Sequence, residues 1–125
     1  MKRNPVGWFE IYVTDLDRAK VFYETVLGTE LTKLDTPAPD IEMLAFPMDM
    51  EAGGASGAIV KMSQSGPRGN GTLVYFSCED CAVQASRVEA AGGTIHSPKF
   101  SIGPYGFIAL AVDTEGNIIG LHSLK

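Results

Sequence analysis

Glu10 stands out because it interrupts the apolar segment Trp8-Phe9-Glu10-Ile11-Tyr12-Val13. Residues 8–13 alternate between two apolar faces, Trp8 and Tyr12 on one and Phe9, Ile11 and Val13 on the other, which predicts a strand covered on both sides. A carboxylate there loses hydration and must find donors or take up a proton, so Glu10 is a candidate ligand anchor or general base. The alternative is a structural carboxylate satisfied by a neighbouring hydroxyl, backbone N–H or lysine. His122, close to the end of the chain, is the second candidate acid or base, set against a solvated histidine in a frayed terminus. Trp8, Tyr12, Tyr75 and Phe107 supply flat side chains with an apolar body, suited to holding a planar ligand or to ordinary packing.

The cysteines form Cys78-Glu79-Asp80-Cys81 at a strand-to-helix junction, where a redox dithiol would sit. Two adjacent acids oppose thiolate formation, and alternation points Cys78 toward the helix, so redox work is the remote reading. A zinc site would have to recruit His96 and His122, which nothing in the sequence places nearby. Gly66-Pro67-Arg68-Gly69-Asn70-Gly71 lacks the Lys-Ser/Thr ending of a phosphate loop and precedes a strand rather than a helix. Asp113-Thr114-Glu115-Gly116-Asn117 has the acids of part of a calcium loop without its spacing or terminal glutamate, and reads as a hairpin turn.

The elements that position these residues occur twice, about 65 residues apart. Residues 8–13 are followed by Asp15, a helix N-cap, and by Leu16, Ala19, Phe22, Tyr23, Val26 and Leu27 at helical spacing before Gly28. Extended pieces at 30–34, 41–46 and 58–62 follow, separated by Pro37, Pro39 and the Gly-rich stretch 52–57. The second copy has a strand at 72–78, a helix at 81–91 after Asp80, and extended pieces at 94–100, 106–112 and 118–123. The expected fold is therefore α+β: a single domain over 1–125 made of two βαβββ modules, about 5–65 and 70–125. The conformations of the loops at 35–57 and 97–106, with Met43, Met48 and Met50 near the first, do not follow from the sequence.

Composition excludes several partners. Net charge is -5, and lysines and arginines are scattered singly, which argues against nucleic acid. The longest apolar run, Phe107 to Val112, is too short to span a membrane, and Met1-Lys2-Arg3-Asn4-Pro5 has no signal-peptide core, so a cytoplasmic protein is expected.

The repeat, the helix starts at Asp15 and Asp80, the Phe22-Tyr23-Glu24-x-x-Leu27-Gly28 helix end and the Asp113-x-Glu115-Gly116-Asn117 turn resemble the vicinal-oxygen-chelate superfamily of glyoxalase I, bleomycin-resistance proteins and extradiol dioxygenases. The resemblance implies mixed sheets forming a cup, in which Trp8, Glu10, Tyr75 and His122 would converge, and a homodimer. In metal-dependent members, ligands near the start of each module's first strand and on its last strand hold a divalent ion. Those positions here fall on Trp8, Leu73, Gly120 and somewhere in 58–62, none a likely ligand. The expected protein thus has no metal and no cofactor and binds a small organic molecule. The alternative is a lyase or isomerase, metal-free or metal-dependent, that acts on a small carbonyl compound, with Glu10 moving the proton in the metal-free case.

Overall fold

In a computed structural model, residues 3–36, 38–62 and 71–125 are described; Pro37 and the Gly66–Asn70 part of the joint lie outside them. The described residues form two α-helices and eight strands, an α+β fold built from two units of the same topology.

The unit Trp8–Thr72 contains most of β1 (Val6–Tyr12), α1 (Leu16–Leu27), β2 (Thr32–Leu34), β3 (Ile41–Ala45) and β4 (Ser56–Met62). Its strand order is β2-β3-β4-β1, with β1 parallel to β4 and the other neighbours antiparallel. The βα crossover makes that parallel pair necessary, since β1 and β4 run the same way on either side of an intervening helix and hairpin. Asp15 caps α1 by accepting the Arg18 N–H at 3.0 Å, and Gly28 closes it at φ 63, with its N–H bonded to the Glu24 carbonyl. Tyr23 packs edge-on against Phe46, and Phe46 against Phe9, at centroid distances of 5.7 and 5.5 Å. The face of β1 that bears Phe9 is therefore the one α1 covers, and Glu10 lies on the other.

The remaining unit is Leu73–Lys125 with the stretch up to Gly7. It holds β5 (Thr72–Ser77, from Leu73 on), α2 (Cys81–Arg87), β6 (Thr94–Ser101), β7 (Phe107–Val112) and β8 (Ile118–Ser123) in the order β5-β8-β7-β6, again with one parallel pair, β5 with β8. Cys81, Ala109 and Leu121 form its helix-side core, joined by Phe76, Cys78, Ala85 and Phe107. Asp80 caps α2 by accepting the Ala82 N–H and also meets Lys99 Nζ at 2.8 Å, so its carboxyl titrates below the usual carboxylate range. Helix α2 ends at Arg87, before the expected 91, because the Val88 N–H reaches back only three residues to Ala85 and the Gly93 N–H then takes the Val88 carbonyl. Strand β6 slips register against β7 around Ser97 and Phe100; Pro98 lacks a donor, which suits this edge strand to irregular pairing. No helix among the described residues is long and apolar enough to cross a membrane.

Candidate functional site

Strand β1 assembles a three-residue cluster on its face away from α1. Alternation puts Trp8, Glu10 and Tyr12 side by side, and both carboxylate oxygens are held: Trp8 Nε1 donates to Oε2 at 3.2 Å and the Tyr12 hydroxyl to Oε1 at 2.5 Å. The second distance is that of a strong hydroxyl–carboxylate bond. Glu10 is only 9% exposed, whereas both aromatic side chains are half-buried. The register Trp8↔Ser56, Glu10↔Ala58, Tyr12↔Val60 and then Val60↔Met43, Ala58↔Ala45 lays an apolar floor around the carboxylate. The arrangement fixes a buried carboxyl group in a largely apolar sheet face and orients it with two neutral donors. That suits anchoring a polar group or passing a proton through the Tyr12–Glu10 bond.

The other unit places its candidates by the same alternation. Tyr75 is buried, at 7% exposure, and lies directly across from Gly120, where any Cβ would overlap its ring. Ser77 pairs with His122 on that same face, and His122 sits inside β8 rather than in a frayed end. Its Nε2 donates to the Tyr105 carbonyl at 2.6 Å, tying β8 to the 3-10 turn Gly103–Tyr105. Because that nitrogen carries its proton in the contact, it does not act there as a base. Phe107 corrects the expectation of a fourth ligand-facing ring. It pairs with Ser123, falls on the face of Ala109 and Leu121, and lies under Lys99 Nζ, 4.7 Å from the ring centre. Sequence reasoning also missed Tyr105, whose role runs through its backbone carbonyl and leaves no side-chain signal. Met48 and Met50 are exposed in the loop after β3, which bounds a shallow hollow lined by Pro47, Asp49, Gly53 and Ser56.

Pairing also identifies the fourth position at which the resemblance would put a metal ligand. Gly120 stands opposite Tyr75 as Ala58 stands opposite Glu10, so the four positions are Trp8, Ala58, Leu73 and Gly120. An indole N–H, a methyl group, an isobutyl group and a hydrogen present no lone pair to an ion, and the volume beside Gly120 is filled by the Tyr75 ring. Among the described residues no group of three or more His, Cys, Asp or Glu comes together elsewhere. The residues present do not fit a divalent ion at those positions.

The cysteines pack as core. Cys81 is fully buried, its N–H donating to Ser123 Oγ at 2.9 Å, and Cys78 packs against the same cluster. Burial, and then the neighbouring Cys81, push the Cys78 thiol above its ordinary value, which leaves little thiolate for exchange. Thiol titration of the unfolded protein after mild oxidation with glutathione disulfide should therefore still count two free cysteines; a count of zero, restored by reductant, would establish a working dithiol. His96 is exposed beside Ser97.

A sequence model of the Glyoxalase/Bleomycin resistance protein/Dioxygenase superfamily matches residues 6–121. Proteins of Mycobacterium bovis and Mycobacterium tuberculosis, both described as "Putative glyoxylase CFP32", are 28% identical over 122 residues, 96% of this chain and 46% of theirs. The chain spans about half the length of these curated relatives. Among solved structures, a variant of Streptomyces coelicolor methylmalonyl-CoA epimerase in complex with 2-nitronate-propionyl-CoA superposes with a TM-score of 0.69 at 18% identity, over 98% of each chain. The Mycobacterium tuberculosis methylmalonyl-CoA epimerase does so with 0.70 at 16%, over 97% of this chain and 88% of that one. At such identities the likeness is one of fold.

Proposed function

The chain belongs to the Glyoxalase/Bleomycin resistance protein/Dioxygenase superfamily, and from that premise we propose that it binds a small organic molecule without a metal ion, with Glu10 as the polar anchor. The observation that carries this reading is the Trp8–Glu10–Tyr12 cluster: a buried carboxylate with both oxygens held by donors, set in an apolar sheet face. The residue types at the four ligand positions support the metal-free part, since none donates a lone pair.

A second reading, metal-free proton transfer on a small carbonyl compound, draws on the same Tyr12–Glu10 bond, which places a hydroxyl donor and a carboxyl acceptor with their oxygens 2.5 Å apart. The fold shared with epimerases fits this chemistry. Two measurements follow, the first testing the metal-free premise that both readings share and the second separating them. Calorimetric titration of chelator-treated protein with nickel, cobalt, zinc and manganese should give no tight one-to-one binding; a stoichiometric transition would bring back a metal-dependent enzyme. Wild type and Glu10→Gln should then be assayed on methylmalonyl-CoA epimerisation and on the hemithioacetal of methylglyoxal with glutathione. The binding reading expects no turnover from either protein. Turnover by wild type that falls about a hundredfold or more in Glu10→Gln, the scale of a general base, would establish the second reading.

A further inference from the structure

We propose a second binding site, within the unit of Leu73–Lys125 and the stretch up to Gly7: Arg3 and Ser77 form a seat for the carboxylate of a small molecule. The Pro5 carbonyl accepts the Ser77 N–H at 2.9 Å, which lays the segment before β1 along the end of β5 and brings Arg3 to it. Gly7 makes the approach close. Arg3 Nη2 and Ser77 Oγ lie 3.3 and 2.3 Å from a single point, the place a Cβ on Gly7 would take, so only a hydrogen there leaves room for the guanidinium and the hydroxyl together. Donors a few ångströms apart can each meet one oxygen of the same carboxylate.

Neither donor is used up by the fold. Arg3 is exposed, its Nε donates to the Asn4 carbonyl at 3.3 Å, and among the described residues its charge has no acidic partner. Ser77 is half-buried, and its hydroxyl has no hydrogen-bond partner among the described residues. The site is therefore open to solvent on the guanidinium side and needs no cavity deeper than one polar group. A guanidinium holds its charge at any working pH and offers a planar fork that matches a carboxylate, while the hydroxyl adds direction. One formal charge points to a monoanion. The second charge of a phosphate ester would find no further cation here and would be repelled by a protein of net charge -5. His122, paired in register with Ser77 on the neighbouring strand, stands next to the site and reports on it.

The probes are benzoate, its neutral isostere benzamide, and phenyl phosphate, each titrated into the protein in a low-chloride buffer and followed by NMR. Benzoate should shift the Ser77 amide and the His122 ring signals saturably, with a Kd of about 1–10 mM, the scale of two charge-assisted hydrogen bonds at a surface. Benzamide should bind at least about tenfold more weakly, and phenyl phosphate no more tightly than benzoate. Arg3→Gln should weaken benzoate at least about fivefold, and Arg3→Lys, which keeps the charge but not the fork, should fall between it and wild type. Both changes are at an exposed position, and unmoved amide signals elsewhere in the same spectra check that each variant is folded. Ser77 and His122 signals that do not respond to benzoate, or Arg3→Gln binding within about twofold of wild type, overturn the site. Phenyl phosphate binding more tightly than benzoate overturns the choice of a carboxylate. Neither residue belongs to the Glu10 cluster, so failure here leaves the reading of that cluster standing.

Discussion

Gly120→Ala is expected to destabilise the protein by about 1–3 kcal/mol, the usual cost of forcing extra volume into a packed site. The added Cβ would overlap the Tyr75 ring, and Tyr75, 7% exposed and paired in register with residue 120, has little room to swing aside. Thermal unfolding should show a fall of roughly 4 °C for each kcal/mol in a chain of this size. The cause is tested by a double-mutant cycle. Tyr75→Ala alone should cost about 3–5 kcal/mol as a truncated core aromatic. In that background the further change Gly120→Ala should cost nothing or recover some stability, because the methyl then occupies vacated space. Additive costs would show that Tyr75 does not fill the position, and the space in which the superfamily resemblance puts a metal ligand would be open after all.

The α+β element pattern was legible in the sequence because the signals that define its elements are local. Asp15 and Asp80 announce helix starts through their own hydrogen bonds, and Gly28 ends the first helix at a left-handed φ. Glu10 with Trp8 and Tyr12 was legible for the same reason: three alternate residues of one strand share a face whatever that strand pairs with. What escaped depends on pairing partners distant in sequence. Phe107 was misplaced because the face it joins is set by its register with Ser123 and by α2 packing over Ala109 and Leu121. His122 was correctly set on the face of Ser77, but its bond to a backbone carbonyl 17 residues away has no sequence signature. The fourth ligand position could only be narrowed to 58–62 until the pairing of Glu10 with Ala58 identified it.

Gly57→Ala should be the more damaging glycine substitution, at about 3 kcal/mol or more, because what its Cβ would meet cannot rotate away. The methyl would overlap the backbone carbonyl of Phe9, its register partner in β4's parallel pairing with β1, as well as two atoms of the Phe9 ring at 2.6 and 2.7 Å. A side-chain clash can be relieved by a rotamer change, but a carbonyl moves only if the strand moves, and moving β1 breaks the pairing that sets Glu10 against Ala58. The two glycines should therefore behave differently in the same experiment. Truncating the neighbour, Phe9→Ala, should leave most of the Gly57→Ala penalty in place, whereas Tyr75→Ala removes that of Gly120→Ala. Urea denaturation of the four proteins in the Gly57/Phe9 cycle measures this directly. A Gly57→Ala protein within about 1 kcal/mol of wild type, or one fully rescued by Phe9→Ala, would mean that β1 and β4 are not in the register that builds the Glu10 site.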